Sequence, residues 1–218
     1  MISICICDDY EKSRAITKKL LSVYKEIHIV AEADSGTALF LLLEKGLKVD
    51  IVLLDIAMPD MNGYEVCNRI KQHFPDVKVI GYSGFSKSGA VLKLLLNGAI
   101  GFVEKQVNVT PLYDIIIDAI SSQSVIKNQW VTPSLLKEFE KYQKLTDTDL
   151  NYATNYTDKE IQIIQLLQNG FTFSEVAHSL GSSEYGIRII CDQILNSLPQ
   201  TKISSKVTIQ EKQLVEKK

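Results

Sequence analysis

Five residues in the first half of the sequence are of the types that phosphoryl transfer onto a carboxylate needs: Asp8, Asp9, Asp55, Ser83 and Lys105. They follow directly on short apolar runs at 2–7, 51–54, 77–82 and 101–104. Asp8, Asp9 and Asp55 placed together would repel, so such a cluster is stable only around a cation. Magnesium suits it, because this ion prefers hard oxygen ligands, is held by few carboxylates and keeps positions for water and phosphate oxygens. Lys105 supplies a compact positive charge that can pair with phosphoryl oxygens, and Ser83 supplies a hydroxyl that can hydrogen-bond the same group. A carboxylate nucleophile, a divalent cation, an ammonium and a hydroxyl are together the parts for this reaction, where positioning and charge neutralisation carry most of the catalysis. Any one aspartate at the end of a run is an ordinary turn former or helix cap. The joint occurrence at four separate run ends is what points to a site.

Bringing these residues together requires a sheet. The segments 2–7, 27–33, 49–54, 77–82 and 100–103 are short and several are rich in Val and Ile, which predicts five strands. Stretches of helical period lie at 11–24, 37–45, 63–74, 87–97 and, after the last strand, 111–120. Ser35-Gly36, Gly46, Pro59, Asn62-Gly63, Pro75 and Gly98 fall between the elements, as turn residues should. The alternation predicts an α/β fold with a doubly wound parallel sheet and helices on both faces. In such a sheet the ligand-carrying strand ends lie on one edge, so four distant segments build one site.

At 218 residues, with 45% hydrophobic and 23% charged side chains, the chain can bury the cores of two modest domains. It has no apolar run near 18 residues and no basic, apolar leader, which predicts a soluble, cytoplasmic protein without membrane contact. Cys5, Cys7, Cys67 and Cys191 lack metal-ligand spacing and are expected in the core. His28, His73 and His178 have no Ser or Cys partner at motif spacing and are expected to be surface or packing residues.

Past residue 121 the strand–helix pattern stops. Residues 122–155 are expected to be a linker with one helix, opened by Thr132-Pro133 and running to about residue 144. A second module, 156–218, begins with a capping box formed by Thr157 and Glu160. Its helices are expected at 158–168, 173–180 and 183–198, with Gly170 and Gly181 at the joints and a short helix over 207–216 in the polar tail.

Residues 1–121 resemble the receiver domain of a two-component response regulator. The resemblance is carried by Asp8-Asp9, by Val52-Leu53-Leu54-Asp55-Ile56-Ala57-Met58-Pro59 running on through Asp60-Met61-Asn62-Gly63, by Tyr82-Ser83-Gly84, and by Gly98-Ala99-Ile100-Gly101-Phe102-Val103-Glu104-Lys105. It implies a flavodoxin-like sheet of strand order 2-1-3-4-5. It also implies that Asp55 accepts a phosphoryl group from a sensor histidine kinase and that Asp9, Asp55 and the backbone carbonyl of Ala57 bind Mg2+, with Asp8 acting through a bound water. Ser83 would be the switch hydroxyl, and Phe102 the aromatic that changes rotamer with it. Phe102 stands where many receivers have Tyr, and Gln106 where many have Pro. Phe85, two residues beyond Ser83, is placed to crowd an attacking water and slow dephosphorylation.

Residues 156–198 resemble the helix-turn-helix domain of the LuxR/NarL (FixJ) class. The matching positions are Tyr156-Thr157-Asp158-Lys159-Glu160-Ile161, Leu166-Leu167-Gln168-Asn169-Gly170-Phe171-Thr172, Glu175-Val176-Ala177, Leu180, Ser183, Ile187-Arg188, Ile194 and Leu198. The resemblance implies a recognition helix from Ser183 that enters the major groove, with Ser183, Glu184, Ile187 and Arg188 as the candidate DNA-contacting residues. The frame departs from the family where cations usually stand. Between positions 155 and 200 there are two basic residues, Lys159 and Arg188, against the acidic Asp158, Glu160, Glu175, Glu184 and Asp192. Phosphate neutralisation supplies much of DNA affinity, so the tail lysines Lys202, Lys206, Lys212, Lys217 and Lys218 or a second subunit would have to contribute. Gly186 weakens the recognition helix by roughly 1 kcal/mol relative to Ala.

The expected function is therefore that of a response regulator in which phosphorylation of Asp55 controls a DNA-binding module and a homodimer. The alternative is a helix-turn-helix that binds a protein partner instead of DNA. An enzymatic role as a magnesium phosphohydrolase is disfavoured, because Ala57 stands two residues after the acceptor where such an enzyme needs an acid and base.

Overall fold

The structure, a computed structural model, describes residues 1–84, 87–105, 109–146 and 156–197. Expectations for Phe85, Gln106, the linker residues 147–155, the tail lysines and a helix over 207–216 lie outside the described residues.

Five strands alternate with five helices: β1 Ile2–Cys7, α1 Glu11–Leu21, β2 Ile27–Ala33, α2 Gly36–Glu44, β3 Ile51–Leu54, α3 Gly63–His73, β4 Lys78–Ser83, α4 Ser88–Leu96, β5 Gly101–Glu104 and α5 Thr110–Ser121. The strands form one parallel sheet of order β2-β1-β3-β4-β5, as expected. All four residues of β3 are buried, as are the last four of β1. Strands covered by helices on both faces read as continuous apolar runs, which is why periodicity alone did not reveal which side chain faces which layer. Alternation resolves it. Ile4, Ile6, Ile51, Leu53, Ile80 and Tyr82 pack with Leu21 of α1 and with Leu112, Ile115, Ile116 and Ala119 of α5. Cys5, Cys7, Val52 and Leu54 point to the other layer and are equally buried.

Of the boundaries that differ from expectation, two have identifiable reasons. The first helix stops at Leu21 instead of 24, because Tyr24 N–H turns back to the Leu21 carbonyl (3.1 Å) and the Tyr24 ring stacks on Tyr113 at 3.9 Å. The third strand starts at Ile51 instead of 49, because the Asp50 carboxylate accepts from Ser3 N–H (2.7 Å) and Ser3 Oγ (2.5 Å) and anchors the entry to β3 on β1.

Local chemistry sets the helix starts. Ser35 Oγ accepts from Ala38 N–H (3.2 Å) at α2, and Asn62 Oδ1 accepts from Glu65 N–H (3.0 Å) at α3. Lys78 Nζ donates to the carbonyls of Ala119, Ile120 and Ser122, closing the C-terminal end of α5. Gly81 in β4 is needed for close packing: a Cβ there would lie 2.2 Å from Leu94 Cδ2 and 2.8 Å from Phe102 Cδ2.

Beyond α5, helix α6 (Pro133–Thr146) begins at Thr132, whose Oγ1 accepts from Leu135 N–H (3.3 Å). The chain divides into two compact units, one of Met1–Gln143 with Asn169–Thr172 and the other of Lys144–Gln168 with the residues from Phe173 on. In the second unit α7 (Asp158–Gln168), α8 (Phe173–Ser179) and α9 (Glu184–Ser197) pack on one another. The expected capping box is present: Thr157 N–H donates to Glu160 Oε2 (2.7 Å) and Glu160 N–H to Thr157 Oγ1 (3.3 Å). Gly170 and Gly181 take φ of +81° and +58° after α7 and α8, the left-handed turns that end helices cheaply only with glycine.

Candidate functional site

The C-terminal ends of β1, β3, β4 and β5 converge on one edge of the sheet. Asp8 follows β1 and is 2% exposed, Asp55 follows β3 and is 7% exposed, and Ser83 closes β4 at 2% exposed. Asp9 is exposed beside them. Lys105 follows β5, and its Nζ donates to Asp8 Oδ2 at 2.7 Å and to Asp55 Oδ1 at 2.8 Å. Residues 97 and 50 positions apart in sequence thus form one charged cluster.

The backbone fixes each part. Asp8 N–H donates to the Ala33 carbonyl (3.0 Å), Asp55 N–H to the Cys7 carbonyl (2.9 Å) and Lys105 N–H to the Ser83 carbonyl (3.0 Å), so the strand ladder itself sets the spacing. The carboxylates are also oriented individually. Asp8 Oδ1 accepts from Tyr10 N–H (3.0 Å), Arg14 donates to the Asp8 carbonyl (2.8 Å), and Asp55 Oδ2 accepts from Ala57 N–H (3.0 Å). Gly63 lets the start of α3 close onto the loop after β3: its N–H donates to the Ile56 carbonyl (2.9 Å), and a Cβ at this position would lie 2.5 Å from the Asp55 carbonyl oxygen.

Burial alone would make Lys105 easier to deprotonate, but the hydrogen bonds from Asp55 and Asp8 and their charges outweigh it and hold its pKa above the usual value. Oxygens of Asp8, Asp9 and Asp55 lie within 4.8 Å of one another. Three formal carboxylate charges against one ammonium leave −2, the charge a divalent cation neutralises. Carboxylate oxygens gathered in this way are the hard donors that magnesium prefers.

Ser83 lies on the same edge, paired in register with Glu104. Phe102 is fully buried, its ring beside Gly81. The four cysteines are buried as expected, and burial raises the pKa of Cys5 to about 12 and that of Cys67 likewise to about 12, so neither is a ready nucleophile.

In the second unit the candidate DNA contacts separate. Ile187 is fully buried, which corrects its assignment: it faces the core of the module and is not available to a groove. Ser183 is exposed but its Oγ accepts from Gly186 N–H (3.1 Å), so it caps α9. Glu184 Oε1 accepts from Arg188 Nε (3.0 Å) and from a terminal nitrogen of Arg188 (2.7 Å), while the guanidinium lies 4.7 Å from the centre of the Phe173 ring. The large apolar side chains that α9 exposes are Tyr185, at 75%, and Ile189, at 42%. Their i, i+4 spacing places them on one helix face, a signal available in the sequence but obscured there by the apolar residues at 187 and 190.

A doubly wound sheet whose strand ends gather three aspartates and a lysine defines a phosphoacceptor class of α/β domain. Residues 4–117 match the response regulator receiver domain family, and the chain belongs to that family as a regulator of the LuxR/NarL class. Similar proteins run along nearly the whole chain. The transcriptional regulatory protein DegU of Brevibacillus brevis is 26% identical and aligns over 90% of this chain and 87% of its own length. The nitrate/nitrite response regulator NarL of Escherichia coli is 26% identical, over 94% of this chain and 91% of its own. Among solved structures, the receiver domain of the response regulator NarL from Mycobacterium tuberculosis is 28% identical over 56% of this chain and 98% of its own, with a TM-score of 0.52. The RcsB response regulator of Salmonella typhimurium shares the fold across 92% of this chain and 94% of its own, with a TM-score of 0.55 at 23% identity. Among the described residues no helix is long and apolar enough to cross a membrane.

Proposed function

We propose that the chain is a phosphorylation-controlled transcription regulator in which residues 1–121 are the receiver, 122–155 a linker with one helix and 156–218 a DNA-binding helix-turn-helix module. The observation that carries this reading is the Lys105 ammonium bonded to both Asp8 and Asp55 on the sheet edge. Asp55 is the acceptor. Its carboxylate oxygen forms a bond to phosphorus as the bond from phosphorus to a histidine nitrogen of the kinase breaks. Lys105 neutralises charge on the phosphoryl oxygens, and the Ala57 amide holds Asp55 Oδ2 in place. Asp8, Asp9, Asp55 and the Ala57 carbonyl are the residues that would hold Mg2+, which when bound neutralises the carboxylates and the incoming phosphoryl oxygens. Ser83 and Phe102 then form the switch, with the Ser83 bond and the Lys105 pair as contacts that distinguish the phosphorylated state from the free one.

The partners of this reading are a sensor histidine kinase, DNA and a second copy of the chain in a phosphorylation-dependent homodimer, all in the cytoplasm. No turnover is assigned, since Ala57 offers no acid or base beside the acceptor. DNA-bound structures exist for the RcsB regulator, whose fold is shared across 88% of this chain at 22% identity. Arg188, held by Glu184 and stacked on Phe173, and the exposed Tyr185 and Ile189 support a second reading, in which the module binds a protein instead.

One experiment separates them. The full chain, with and without beryllofluoride as a phosphoryl mimic, is titrated against genomic DNA fragments at two salt concentrations. Binding that strengthens with the mimic and weakens with salt is expected; no salt-sensitive binding in either state selects the protein-binding reading. Asp55→Asn is expected to abolish labelling by a small phosphodonor while leaving the fold intact, and retained labelling would place the acceptor elsewhere.

A further inference from the structure

The segment after α5 runs alongside β5, outside the five-stranded sheet. Ile126 N–H donates to the Ile100 carbonyl (2.8 Å), Asn128 Nδ2 to the Phe102 carbonyl (2.7 Å) and Trp130 Nε1 to Glu104 Oε2 (3.1 Å). Positions 126, 128 and 130 thus meet 100, 102 and 104 in step, parallel to β5, while Lys127 and Gln129 face solvent. Side chains replace the backbone bonds of a sixth strand at two of the three rungs. Asn128 ties the row together, because its Oδ1 accepts from Trp130 N–H and Val131 N–H, both at 2.9 Å. Beyond the last rung, Val131 is fully buried and Thr132 caps α6.

This strap grips the residue assigned above as the aromatic of the switch. The Trp130 ring meets the Phe102 ring edge-to-face, with centroids 6.4 Å apart and planes at 78°. Aromatic pairs favour that geometry at that distance, and its energy depends on the position of both rings. Asn128 holds the carbonyl of the same residue, and Trp130 holds Glu104, the register partner of Ser83. The strap therefore makes its contacts to one arrangement of β5, the one with Phe102 fully buried.

We propose that residues 126–131 form a switch-reading strap, with Trp130 as the positioning residue that couples the Phe102 arrangement to the start of α6. The proposal rests on Asp55, Ser83 and Phe102 acting as described under the proposed function. A group bound at Asp55 that holds Ser83 and Phe102 in this buried arrangement favours the closed strap. Coupling between two sites is reciprocal in binding free energy, so a closed strap must strengthen binding at Asp55 by the same factor. Opening the strap releases Thr132, two residues past Trp130, and with it the cap of α6. The signal thereby reaches the linker helix through three consecutive residues.

Trp130 is the sole tryptophan of the chain, so its emission reports the strap without a label. In the full-length protein with saturating magnesium, beryllofluoride is expected to protect this emission from iodide quenching, and to have no effect in Asp55→Asn. By calorimetry, Trp130→Ala and Asn128→Ala are expected to bind beryllofluoride about tenfold more weakly than the wild type, with Trp130→Phe restoring most of the affinity. Unchanged quenching in a wild-type chain that binds beryllofluoride overturns the strap while leaving the acceptor assignment standing, and so does equal affinity in a folded Trp130→Ala. A wild-type chain that binds no beryllofluoride refutes the acceptor assignment and the strap with it. The quenching measurement needs no variant, so a Trp130→Ala protein that does not fold leaves the proposal decidable.

Discussion

Lys105 is the residue on which the site depends electrostatically, because one ammonium faces two nearly buried carboxylates at 2.7 and 2.8 Å. Lys105→Met keeps the length of the side chain and removes its charge. Loss of a preorganised donor aimed at developing charge typically costs about 10²–10³ in rate, so labelling of Asp55 by a small phosphodonor should slow by that order. A labelling rate within a factor of two of the wild type would show that Lys105 serves structure alone. The same pairing makes a pH prediction. The folded-state pKa of Lys105 is raised, so its stabilising contribution is fully present below the unfolded value of about 10.4 and is lost as pH rises through the higher folded value. Urea midpoints of wild type and Lys105→Met, compared at pH 9 and in steps above 10, should converge on the alkaline side.

Elements succeed here where side chains from one meet the backbone of another. Asp60, in the loop after β3, accepts from Gly36 N–H (3.3 Å) and Thr37 N–H (3.1 Å) and so caps α2 from a distant part of the chain. The slight desolvation of this exposed carboxylate would raise its pKa, but the amides of Thr37, Met61 and Gly36 outweigh this and lower it. The stability it contributes is therefore present above the unfolded value of about 3.9 and lost as pH falls through the lower folded value. Asp60→Ala should destabilise the fold by about 1 kcal/mol at neutral pH, the usual worth of a cap, and by less near pH 3. Gly81→Ala tests the packing between β4, α4 and Phe102. With its Cβ 2.2 Å from Leu94 Cδ2, it should cost about 1–3 kcal/mol by chemical denaturation, and a neutral result would mean that Leu94 and Phe102 repack freely.

At the scale of the molecule the two units contrast in charge and in what they present. The receiver gathers three aspartates on one edge of its sheet, where a cation and a phosphoryl group can use them. Between positions 155 and 200 the helical unit has two basic residues, Lys159 and Arg188, and Arg188 is already engaged by Glu184. DNA affinity should then depend on the lysines of the tail. Truncation after Gln200 removes Lys202, Lys206, Lys212, Lys217 and Lys218, and should both weaken DNA binding and flatten its salt dependence, by about 0.9 in log–log slope for each phosphate no longer neutralised. An unchanged slope would assign phosphate neutralisation to other residues.

The alternation of five apolar runs with helical stretches was enough for the doubly wound sheet, because crossover helices and right-handed connections leave few other arrangements. The types and spacing of Asp8, Asp9, Asp55, Ser83 and Lys105 were likewise enough to place them on one edge. Local chemistry was legible where both partners sit within a turn of each other, as with Thr157 and Glu160. Tertiary structure alone decided which carboxylate oxygens Lys105 meets, since that depends on the ladder that joins β1, β3, β4 and β5. It turned Ile187 into the core and left Tyr185 and Ile189 outside, a choice set by how α9 packs on its neighbours. It also set Asn128 and Trp130 on β5, a register between segments more than twenty residues apart that no local pattern encodes.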